Sequence, residues 1–83
     1  MNNIENLIKV MIESIVDSPE NLSIEMSETE KGTLFEVKLA KGDVGKVIGK
    51  QGRVASAIRT VVKAAGAKQG ARIMLNVFNK PLE

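Results

Sequence analysis

The chain has 83 residues and a mass of 9.0 kDa, which leads us to expect one domain over 1–83, near the small end of what folds without disulfides or metals. It contains no Cys and no His, so disulfides, thiolate nucleophiles, imidazole bases and the usual zinc ligands are excluded together, and the lack of Cys suits a reducing cytoplasm. The net charge of +2 conceals an asymmetry: residues 1–40 hold three basic and eight acidic side chains, residues 41–83 nine basic and two acidic, a distribution that suits a polyanion partner for the second half.

Asn2, Asn3 and Glu5 put no basic region ahead of the first apolar run, so no secretory signal is expected. No apolar segment approaches the roughly 20 residues that span a bilayer, and a cytoplasmic protein without membrane contact is the expectation. Ile4, Leu7, Ile8, Met11, Ile12, Ile15 and Val16 recur at i, i+3, i+4, i+7, i+8, i+11 and i+12, one apolar stripe of a helix. Asn3 is expected to cap it, Glu5, Lys9 and Glu13 to pair at i,i+4 on its outer face, and Ser18-Pro19 to end it. Its polar face is mostly acidic, which suits core packing rather than a membrane surface.

Leu22, Ile24 and Met26 alternate with Ser23, Glu25 and Ser27, and after a turn at Glu30-Lys31-Gly32 the alternation resumes at Phe35, Val37 and Leu39. Two antiparallel strands follow. Beyond Lys41-Gly42, Asp43 reads as the N-cap of a short helix through Val44, Val47 and Ile48. Val54, Ala57, Ile58, Val61, Val62 and Ala65 then form a second stripe over 53–65, with Gly66 as its C′ residue and Lys63 in the last turn. Ala71, Ile73, Leu75 and Val77 alternate in a third strand, and the chain is expected to fray from Asn79 onward. The order is α-β-β-α-α-β. A helical crossover between the second and third strands favours parallel pairing; the fold class is α+β, a three-stranded mixed sheet with three helices on one face.

Between the last two helices lies Val47-Ile48-Gly49-Lys50-Gln51-Gly52-Arg53. Glycines permit close approach of a ligand to the main chain, and Arg53 opens a helix whose first N–H groups and dipole favour an anion. Lys46, Lys50 and Arg53 add full charges around the same point. A bare G-x-x-G is a weak signal, since Gly42-Asp43-Val44-Gly45 repeats the spacing; that upstream copy carries an acid where a phosphate clamp needs a cation.

The element order with Val47-Ile48-Gly49-Lys50-Gln51-Gly52-Arg53 between its middle helices resembles the type II K-homology (KH) domain over residues 4–78. With Asp43-Val44-Gly45-Lys46 and Ser56-Ala57-Ile58-Arg59, it is most similar to the small bacterial single-KH RNA-binding proteins of the KhpA type. KH loops clamp about four backbone nucleotides of a single strand. The resemblance implies that Gly49 and Gly52 allow backbone approach, that Lys50 and Gln51 form the loop tip at the phosphates, and that Arg53 adds charge at the helix start. It further implies an apolar base groove beside the loop, for which Val44, Val47, Ile48 and Val54 are candidates, each equally explained as core. Lys46 and Arg59 are further candidate RNA contacts. It also implies an RNA chaperone or post-transcriptional regulator acting as a homodimer or with a second KH protein of the Jag type, in a pathway tied to cell shape and cell wall growth.

Base-stacking aromatics are scarce. Phe35 falls in the core phase of its strand and Phe78 in the opposite phase to Val77, near the sheet edge. Since each base–aromatic stack contributes about 1–3 kcal/mol, affinity is expected to rest on phosphates and groove burial, roughly micromolar for one domain. A P-loop enzyme is excluded by spacing: three residues separate Gly45 from Gly49, and Gln51 follows Lys50 where a magnesium-binding Ser or Thr is needed. No catalytic residue, cofactor or small-molecule substrate is expected. The competing reading is an interaction module that keeps the fold without RNA binding, because Ala55 and Ala64 widen the apolar arc of the second long helix beyond one buried face.

Overall fold

The computed structural model describes residues 2–79. They form α1 (Asn2–Glu13), a 3-10 turn at Pro19–Asn21, β1 (Ser23–Thr29), β2 (Gly32–Leu39), α2 (Lys41–Ile48), a 3-10 turn at Lys50–Gly52, α3 (Arg53–Lys68) and β3 (Ile73–Asn79). The sheet order is β1-β2-β3, with β1 antiparallel and β3 parallel to the central β2. This is the expected α+β arrangement, a three-stranded mixed sheet with three helices, consistent with a type II KH fold. Among the described residues, no helix is long and apolar enough to cross a membrane.

The period-2 pattern is sharpest on β2, where Thr33, Phe35, Val37 and Leu39 are buried and the intervening residues half-buried. A central strand covered by helices on one face produces that alternation. Register places Phe35 beside Leu75 and Val37 beside Val77. From the helical layer Ile4, Ile8, Ile12, Val16, Val47, Ile58 and Val62 complete the core. Phe35 is fully buried, as packing required, while Phe78 is exposed on the edge strand. Met26 faces Phe35 in register yet is exposed, because β1 from Glu25 to Thr29 lies open to solvent.

Several local expectations are corrected. Asn3 lies inside the first turn of α1 instead of capping it, and α1 ends at Glu13, well before Pro19, which opens the 3-10 turn. Glu5, Lys9 and Glu13 do not pair: among the described residues the ion pairs are Lys38–Glu25, Lys46–Asp17 and Lys46–Asp43. Helix α3 continues through Gly66 to Lys68, so Lys68, not Lys63, occupies its last turn. Gly66 is buried, and a Cβ there would meet the Ile73 side chain and, at 3.1 Å, the Ala71 carbonyl; its small size lets α3 approach β3. The C′ residue is Gly70, at φ 73°, and the Ala71 N–H to Gly66 C=O (2.8 Å) and Gly70 N–H to Ala67 C=O (3.0 Å) bonds close a Schellman motif. Asn79 closes β3, and the rest of the expected tail, 80–83, lies outside the described residues.

Candidate nucleic-acid interface

The loop between α2 and α3 is built on left-handed backbone. Gly49 (φ 76°), Gln51 (φ 57°) and Gly52 (φ 74°) all have positive φ. Gly49 terminates α2 by donating its N–H to the Gly45 carbonyl at 2.8 Å, and Gly52 donates to the Gly49 carbonyl at 3.1 Å. A Cβ on Gly49 would come within 2.7 Å of Val54 Cβ and 2.9 Å of Val54 N, so the first glycine is required by both conformation and space. At Gly52 a Cβ would meet open space. Lys50 and Gln51 are exposed at the tip, and Arg53 Nη2 donates to Gln51 Oε1 at 3.2 Å, tying the tip to the helix start. No side chain caps α3 at Gly52, and of the first-turn N–H groups of this 16-residue helix the first, on Arg53, is already donated to the Lys50 carbonyl, which leaves those beyond it to face an anion beside Lys50 and Arg53.

The structure divides the other expected site residues. Ile48, at the end of α2 next to the loop, is 38% exposed, whereas Val47 is fully buried and belongs to the core. Val44 and Val54 are half-buried and pack against that core. Arg59 lies away from the loop tip, its Nε donating to the Leu75 carbonyl of β3 at 3.0 Å. Lys46 is engaged within the protein: its ammonium donates to the Asp17 carboxylate and lies 3.9 Å from Asp43 Oδ1. The Asp17 hydrogen bond, assisted by the charges of Asp17 and Asp43, holds the Lys46 pKa above its ordinary 10.5.

Asp43 corrects the sequence reading. It sits inside α2, whose N-cap is Ala40. Its carboxylate is buried and accepts the Asp17 N–H at 3.1 Å and the Ser18 N–H at 3.0 Å, joining the connection after α1 to α2 across more than twenty residues of chain. Sequence reasoning gave Asp43 a local task and Asp17 none, because a cap on a distant segment leaves no local spacing to find. A second feature stands apart from the loop: an open apolar groove of about 560 Å³ between α1 and α3, lined by Val10, Met11, Ile15, Val54, Ala57 and Ile58 among others. Val10 and Val61 are exposed on this layer at 62% and 46%, while Ala55, read as surplus apolar surface, is buried.

A helix–loop–helix held open by positive-φ glycines, packed on a mixed sheet with a parallel edge strand, defines a KH domain of type II. The family model described as KhpA/KhpB, KH domain, matches residues 5–77. The protein named RNA-binding protein KhpA in Clostridium perfringens is 40% identical over 74 residues, covering 89% of this chain and 99% of that one. Its namesake in Listeria monocytogenes is 42% identical over 74 residues (89% and 97%), and that of Bacillus subtilis 38% over 76 residues (92% and 94%). The chain belongs to the KhpA/KhpB family of KH domains, a non-catalytic family.

Proposed function

We propose that this chain is a cytoplasmic RNA-binding protein that grips the backbone of single-stranded RNA at the Gly49-Lys50-Gln51-Gly52 loop. The carrying observation is the loop itself: glycines in conformations that side chains rarely adopt hold exposed Lys50 and Gln51 beside the uncapped start of α3. Gly49 and Gly52 allow main-chain approach, Lys50, Gln51 and Arg53 meet phosphate, and Ile48 offers an apolar contact for a base. Lys46 joins them only by leaving Asp17. With no exposed aromatic at the loop, the grip there is charge-driven and carries no base preference of its own, which suits a chaperone or regulator of many RNAs.

The test is filter binding of mixed single-stranded RNA to wild type and to Lys50→Asp/Gln51→Asp, with circular dichroism to establish that both are folded. Two acids at the tip should abolish retention; a folded double variant that binds as wild type overturns the loop assignment. A second reading, a protein-interaction module, is favoured by the exposed Val10 and Val61 and the groove between α1 and α3. The two readings combine if the protein works as a homodimer or beside a second KH protein of the Jag type, because a paired copy raises weak RNA affinity through effective concentration.

A further inference from the structure

β3 is an edge strand whose free side is identifiable. The Thr33 N–H donates to the Arg72 carbonyl at 2.8 Å, and because alternate residues of a parallel strand direct their main-chain groups to opposite sides, the N–H and C=O groups of Ile73, Leu75 and Val77 point away from β2. Arg59 reaches this edge from α3 and donates Nε–H to Leu75 C=O at 3.0 Å. The acceptor is neutral, and among the described residues no carboxylate pairs with Arg59. A guanidinium has five N–H donors in one plane. Fixing Nε at the strand edge orients that plane and leaves the Nη1/Nη2 end presenting two parallel donors and a full charge in a half-buried position.

We propose that Arg59 is a base-reading residue that selects a nucleotide with two adjacent acceptors, O6/N7 of guanine or O2/N3 of cytosine, over adenine and uracil. This rests on the loop reading above. Arg59 stands six residues beyond Arg53, about 9 Å along α3, within the span of the roughly four nucleotides a KH loop holds. α2 and α3 both pack on β3, so a strand clamped at the loop and led along α3 toward the sheet edge brings a base to the fork. Adenine and uracil alternate donors with acceptors on their edges and offer such a fork no adjacent pair, whereas guanine accepts it bidentately. A lysine, with its charge at a point, cannot reproduce the planar match.

The experiment measures fluorescence anisotropy of oligouridine about twice the length a KH loop holds, and of the same strand with a central G, C or A. Wild type should bind the G and C strands at least about five-fold tighter than the U and A strands, and Arg59→Lys should bring the four strands to within about two-fold of one another, chiefly by weakening the G and C strands. No preference in wild type, or a preference that survives in Arg59→Lys, overturns the proposal. So does equal weakening on all four strands, which makes Arg59 a phosphate contact or an edge guard. Arg59→Gln serves the same comparison if a thermal melt shows that Lys does not sustain the fold. The Lys50→Asp/Gln51→Asp variant reports separately on the clamp: loss of all four strands in that variant, with discrimination unchanged in Arg59→Lys, leaves the loop reading standing and removes only Arg59.

Discussion

Gly49 and Gly52 share left-handed backbone, but a side chain at each would meet different surroundings. Alanine at Gly52 pays only the conformational cost of a Cβ at positive φ, about 1–2 kcal/mol. At Gly49, where ψ of 175° puts the backbone in a region open essentially to glycine alone, the conformational cost is at least as large and is joined by overlap with Val54, where overpacking adds about 1–3 kcal/mol. Urea denaturation should therefore rank Gly49→Ala clearly below Gly52→Ala; equal midpoints would show that Val54 yields freely. A similar contrast separates two acids. Asp43→Ala leaves the part-buried Asp17 and Ser18 N–H groups without their acceptor and should cost about 2–3 kcal/mol, while Asp17→Asn, at a solvent-screened ion pair, should cost clearly less. The pair with Asp17 also fixes a pH dependence. Because the folded Lys46 pKa is raised, its contribution is complete below the ordinary 10.5 and is lost as pH rises through the higher folded value. The stability gap between wild type and Asp17→Asn should therefore narrow above pH 10.5, as measured by urea midpoints at neutral and alkaline pH.

Elements followed sequence wherever one physical cause governed the pattern. The stripe from Ile4 to Ile12 and the alternation through Phe35, Val37 and Leu39 each reflect burial against a single layer, so their periods could be read directly, whereas Ile15 and Val16, expected on the same helix, pack from the connection after it. Boundaries failed where a residue answers to a distant partner. Gly66 reads as a helix stop by local propensity, yet it lies inside α3 because Ile73 needs the space, and the turn chemistry falls to Gly70. The consequence is testable against propensity itself. Alanine in a helix interior is normally worth about 1 kcal/mol over glycine, but a Cβ on Gly66 would press on Ile73 and the Ala71 carbonyl, at a cost of about 1–3 kcal/mol. Gly66→Ala should thus destabilise by thermal melt, and the loss it causes should be smaller in an Ile73→Ala background, where the opposing Cγ1 is gone. A single variant more stable than wild type would mean that α3 and β3 separate without penalty.

At the scale of the molecule, Lys50, Arg53, Arg59, Lys63 and Lys68 of the basic half lie on the loop and α3, while Lys46, although part of that half by composition, is answered by Asp17 from the acidic half. Charge counting shows which half of the chain is basic but could not say which of its cations are already engaged within the protein. The exposed apolar positions carry the same limit: periodicity assigned Val61 to a buried stripe, and the fold leaves it 46% exposed on α3, the helix that with α1 lines the apolar groove. If a second copy covers this layer, Val61→Asp should hold the protein at monomer mass in sedimentation runs where wild type gains mass with concentration, and should stay folded by circular dichroism, since the side chain is not part of the core, with a thermal midpoint that no longer rises with concentration. RNA binding then separates the two terms. Neutralising about three phosphates gives a log–log salt slope near −2 on a single strand; a dimer engaging both loops on one long RNA steepens it, and Val61→Asp should return it to the single-domain value while lowering affinity through lost effective concentration. An unchanged mass together with an unchanged slope would remove α3 as the contact between copies and leave the loop acting alone.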